Sequence, residues 1–116
     1  MENNVIANKS RTFAIRIINL YKYLCAEKHE YILSKQLLRA GTSIGANIKE
    51  AIQAQSRNDF ISKMNISLKE ASETEYWLDL LYETSYISEK EFKSIAADCN
   101  GINKILISIV KTSKNN

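Results

Sequence analysis

The sequence of 116 residues contains no proline, three glycines, one histidine and two cysteines. Each scarcity removes a class of protein. All-β domains and long loops ordinarily place prolines at their turns, so this absence favours helices. A single histidine, His29 in the polar stretch AEKHEY, rules out a multi-histidine metal site and reads as a loop residue. Cys25 and Cys99 stand far apart with no CxxC spacing, so neither a zinc ribbon nor a disulfide scaffold is indicated. Buried, reduced thiols are the default for such a pair. Hydrophobic runs are short: ILISIV at 105–110 is broken by Ser108 and falls far below the roughly 20 apolar residues that span a bilayer. The segment MENNVIANKSR lacks a basic region followed by an apolar stretch, so no secretory leader is expected and a cytoplasmic location is.

With 45% hydrophobic and 25% charged residues, the composition is that of a folded globular chain, and residues 1–116 read as one domain. The net charge of +3 is mild, but it is unevenly spread. Residues 1–49 hold 8 basic and 3 acidic side chains, residues 50–100 hold 5 basic and 10 acidic, and residues 101–116 hold 3 basic and none acidic. Basic helices therefore face an acidic one. That split serves either charge matching within or between subunits, or a basic face for phosphates.

Hydrophobic periodicity predicts four helices, at approximately 5–27, 31–55, 58–84 and 89–112. The first carries Ile6, Phe13, Ile17, Leu20 and Leu24 on one face, widened by Ala14, Ile18, Tyr21 and Cys25. The second carries Leu33, Leu37, Ala40, Ile44, Ile48, Ala51 and Gln55. In the third, Phe60, Ile61, Met64, Leu68, Ala71, Leu78 and Tyr82 form the main face, and Ile66, Trp77, Leu80 and Leu81 suggest a second one. A helix with two apolar faces ordinarily has two partners. The fourth follows a Ser88/Glu91 capping box and repeats Phe92, Ile95, Cys99, Ile102, Leu106 and Ile109 at alternating spacings of 3 and 4, a narrow bundle seam. Short connectors make the expected fold all-α, an up-and-down antiparallel four-helix bundle.

Two of the glycines, Gly41 and Gly45, lie inside the second helix, where each costs roughly 1 kcal/mol against alanine. GTSIG has neither the Walker spacing nor the dinucleotide-binding spacing, and no strand precedes it. The apolar phase also survives both glycines, whereas a true loop would reset it. Close approach of another backbone, or a local distortion, explains them better than a phosphate does. Thr42, Ser43 and Asn47 offer hydrogen bonds in the same run of small residues. With helices two and three antiparallel about residue 57, Arg39 comes level with the acids around Glu73, so a buried arginine–carboxylate contact that favours register is expected. The acids Glu70, Glu73, Glu75, Asp79 and Glu83 lack the histidines of a di-metal bundle site. No nucleophile is paired with a base, so no enzyme, cofactor or metal is expected.

The blocks SKQLLRAGTSIGANIKEA and FISKMNISLKEASETEYWLDLL resemble the bacterial four-helix proteins of the 23S rRNA intervening-sequence family. The resemblance extends over roughly residues 10–110. Its motif positions here are Arg39, Gly41, Ser43, Gly45, Asn47, Glu50, Glu70, Glu73 and Trp77. The resemblance implies an up-and-down bundle, a homopentamer, and kinship with the nucleic-acid-binding accessory proteins of diversity-generating retroelements. The function expected is that of a non-enzymatic homo-oligomer binding RNA or DNA. Its candidate phosphate contacts are Lys9, Arg11, Arg16, Lys22, Lys35, Lys49 and Arg57. The alternative is an adaptor for a protein partner with no nucleic-acid role. No membrane is implicated.

Overall fold

Hydroxyl caps and short turns cut the chain into its elements. In the computed structural model, which describes residues 2–115, four helices follow one another: α1 (Glu2–Ala26), α2 (Leu33–Ile52), α3 (Arg57–Glu83) and α4 (Glu89–Asn115). The Ser56 hydroxyl accepts the Asp59 N–H at 3.1 Å and starts α3. The Ser88 hydroxyl accepts the Glu91 N–H at 3.1 Å and does the same for α4. The start of α2 uses a device that periodicity does not reveal. The Glu30 carboxylate, in the connector before the helix, accepts the N–H groups of Ile32, Leu33 and Ser34 at 3.2, 3.0 and 2.7 Å. The Ser34 hydroxyl returns a bond to the Glu30 carbonyl at 2.7 Å. His29 and Ser85, in the two connectors at this end of the bundle, have φ of 53° and 69°.

Each helix packs on its chain neighbours and α4 closes back on α1, while the diagonal pairs do not approach. Partners such as Arg39 with Glu73, Asn103 with Glu75 and Arg16 with Asp98 are level with one another in antiparallel register. The bundle is therefore up-and-down, 46 Å long and about 20 Å across, and a helix of 27 residues covers about 40 Å of that length at about 1.5 Å per residue.

The core holds the five principal apolar residues expected on α1, and on α4 the expected seam from Ile95 to Ile109, joined by Val110. Phe92 is half-buried and stacks on Tyr82 at 4.6 Å and 7° between planes. Two expectations need correction. Leu81 is a core residue with no exposure, because it continues the Met64–Ala71–Leu78 face; only Ile66, Trp77 and Leu80 remain of the second stripe on α3. Gln55 lies beyond α2, which ends at Ile52, since the Gln53 N–H already turns back onto the carbonyls of Lys49 and Glu50.

Candidate nucleic-acid surface and its supports

The glycines of α2 are filled by α1. A methyl group on Gly41 would lie 2.9 Å from both Cγ atoms of Ile17, and one on Gly45 would lie 3.3 Å from the Ser10 hydroxyl oxygen. Ile17 is a fully buried, β-branched side chain with little freedom to move aside. Close helix packing thus accounts for both glycines, and α2 continues through them. On the far side of the same turn, the buried Ser67 hydroxyl of α3 donates to the Ile44 carbonyl at 2.8 Å. The neighbouring polar residues do not cross to another helix. Thr42, Ser43 and Asn47 donate to the carbonyls of Leu38, Arg39 and Ser43 at 2.7, 2.6 and 2.8 Å, bonding back within α2.

Arg39 meets the predicted acids. Its guanidinium hydrogen-bonds Glu73 and lies 3.5 Å from Glu70, while the Trp77 indole N–H donates to Glu73 at 3.2 Å. The indole bond first, and the guanidinium second, hold the Glu73 carboxyl below the usual carboxylate range. The pair is not buried as expected: the Arg39 side chain is 51% exposed, because α2 and α3 approach through Ala40, Ile44 and Ser67 and leave longer side chains at the rim. Glu50 completes this side with a 3.0 Å bridge to Lys63.

The candidate phosphate contacts divide sharply. Arg16 is committed elsewhere: it donates to Asp98 and Ser94 of α4, each at 2.8 Å, with Glu91 at 3.7 Å. Its charge is answered within the fold. Arg57 is the first residue of α3, at the opposite end of the bundle from the α1–α2 turn, and Lys9 lines a cleft of about 320 Å³ between α1 and α4. The remaining ones form a set. Arg11 and Lys49 line one groove between α1 and α2, with no acid in its wall. Three turns bring Lys22 to within about 20° of Arg11 around α1, and four turns bring Lys35 to within about 40° of Lys49 around α2. None of these cations has an acid in ion-pair range among the described residues. The result is an outward α1–α2 face carrying Arg11, Lys22, Lys35 and Lys49 along its length.

Burial, with Glu75 and Asp98 nearby, pushes the Cys99 thiol up to about 12, which keeps it protonated and a poor nucleophile. No group of three or more metal-ligating side chains occurs among the described residues, and no helix there is long and apolar enough to cross a membrane. Periodicity did not reveal the clasp of Arg16, whose partners lie 82 and 78 positions away, or the cap of Glu30, which has no hydroxyl signature.

Comparison with known proteins agrees with this architecture. The family model described as "23S rRNA-intervening sequence protein" matches residues 2–108. A crystal structure at 1.70 Å resolution, of a Bacteroides thetaiotaomicron VPI-5482 protein with unknown function from the S23 ribosomal protein family, is 61% identical with a TM-score of 0.95. The alignment covers 96% of this chain and 99% of that one. No curated protein matches the sequence.

Proposed function

The chain belongs to the 23S rRNA-intervening sequence protein family, and from that membership we propose that it is a non-catalytic homo-oligomer that binds RNA or another nucleic acid through the outward α1–α2 face. The observation that carries this reading is the row of Arg11, Lys22, Lys35 and Lys49, none of them in ion-pair range of an acid among the described residues. Cations without internal partners are available to phosphates, and a row of them follows a backbone better than a cluster does. Arg16, bound to α4, leaves the set of phosphate contacts. A pentamer is the subunit number that the family resemblance suggests. Self-assembly has its own support on α3, where Tyr76 is 56% exposed beside half-buried Trp77, with half-buried Leu80 a turn on and Ile66, 38% exposed, three turns before.

The same apolar surface supports the competing reading of a protein adaptor. Fluorescence anisotropy with labelled RNA and DNA across a salt series separates the two. The nucleic-acid reading expects a steep loss of affinity with salt, and Arg11→Glu with Lys49→Glu to weaken binding and lower the salt slope by about 2. Unchanged binding in that variant removes the face from consideration. Light scattering on the same sample gives the subunit number.

A further inference from the structure

Beyond the basic face, a cleft of about 770 Å³ opens at the turn end of the α1–α4 seam. We propose that this cleft accepts one unpaired base of a single-stranded nucleic acid, a proposal that rests on the nucleic-acid reading above and names the kind of strand it serves.

The walls are aromatic and the floor is apolar. Tyr23 of α1, 44% exposed, and Tyr86 of the α3–α4 connector both line the cleft. Tyr82 is fixed by its stack on Phe92, so it is a rigid side to the cleft. Leu20 and Ile87, both nearly fully buried, form the floor. A volume between roughly 300 and 1,000 Å³ with an apolar floor and convergent polar groups is typical of a small-ligand site.

The polar groups here fall into two sets. Arg16, Ser88 and Glu91 are already engaged in the α1–α4 contact and the α4 cap. The Asn19 amide, the hydroxyls of Tyr23, Tyr82 and Tyr86, and the Lys28 ammonium have no hydrogen-bond or ion-pair partner among the described residues. An amide presents a donor and an acceptor side by side, as the edge of a base requires, and phenol rings offer stacking faces that any base can use. A lysine at the mouth suits the phosphate attached to that base.

Position along the chain joins the cleft to the basic face. Lys22 belongs to the row on the α1–α2 surface, and Tyr23, the next residue, turns about 100° around α1 into the cleft. A strand whose phosphates pass Lys22 therefore has a base within reach of Tyr23. A duplex keeps its bases stacked and paired, and so leaves the cleft empty.

The test compares a short single-stranded RNA with the duplex of the same sequence, using the full chain and the variants Tyr23→Ala and Tyr23→Phe. Tyr23 is partly exposed, so melting curves are expected to match the parent. Tyr23→Ala is expected to weaken single-strand binding about tenfold while leaving duplex binding within about twofold, and Tyr23→Phe to retain most affinity. Equal losses on both probes, or none on the single strand, overturn the proposal. If the parent protein binds neither probe, the function proposed above fails, and the cleft is judged on AMP and UMP alone. Saturable shifts of the Tyr23 and Tyr86 ring resonances, abolished for the remaining ring in Tyr23→Ala, then sustain the base site; their absence overturns it.

Discussion

Helix α1 is held on its two sides by opposite means. Towards α2 the backbones come together over Gly41 and Gly45, with Ile17 and Ser10 filling the space that side chains would have taken. Towards α4 the packing is the sparsest in the bundle, clefts of about 770 and 320 Å³ open along it, and a polar clasp centred on Arg16 joins the helices. One seam relies on shape and is tightest at Gly41, beneath an outer groove of about 410 Å³. The other relies on hydrogen bonds at the rim and leaves room. The difference teaches where this chain has rigidity and where it has space for something else to enter.

The strongest way to break the contrast is to enlarge Gly41. Gly41→Val drives two methyl groups into Ile17 and is expected to destabilise the fold by about 3 kcal/mol in chemical denaturation, with Ile17→Ala in the same chain recovering part of the loss. Next comes the cap that closes the tight seam. Burial pushes the Glu30 carboxyl up, but the N–H groups of Leu33, Ser34 and Ile32 more than offset this and hold it below its ordinary value. Its stabilising contribution is therefore present above the unfolded carboxylate range and lost as pH falls through the lowered folded value. Glu30→Gln is expected to cost about 1–2 kcal/mol at neutral pH, with the gap to the parent closing in acid; melting across a pH series measures it.

On the open seam the expected effects are smaller. Arg16→Met removes a partly exposed clasp and is expected to cost about 1 kcal/mol, less at high salt. The third glycine reverses the sign. A methyl group on Gly101 meets nothing within 4 Å, so Gly101→Ala is expected to stabilise the isolated chain by about 0.5–1 kcal/mol through helix propensity. If Gly101→Ala proves as damaging as an enlarged Gly41, the two seams are not different in kind.

Much of this was legible in the sequence, for identifiable reasons. The α4 seam follows from its alternating spacing, and helix continuity through Gly41 and Gly45 follows from conserved phase in the apolar pattern of α2 itself. Arg39 could be set against Glu73 because a short turn fixes the register of α2 and α3. Leu81 was misplaced because a stripe at helical spacing does not say which of two apolar faces the core takes. Arg16 read as a surface cation, since nothing local marks a contact with residues near the other end of the chain. Glu30 was invisible because a carboxylate three residues before the first residue of the helix imitates a cap that pattern reading assigns to Ser, Thr, Asp or Asn. As for the candidate site, the cations were legible as residues, but their division into a row, a clasp and outliers needed the helices in place.

The closing of α4 onto α1 also bears on the order in which the molecule assembles. Every other interface joins helices adjacent in the chain and closes a short loop, whereas α1 with α4 must bring distant segments together at a greater entropic cost. Three hairpin pairings can form locally and quickly, and the last seam has the fewest contacts to reward it. Amide protons of α1 and α4 are thus expected to exchange through partial opening below the global unfolding free energy, with those of α2 and α3 the slowest of all.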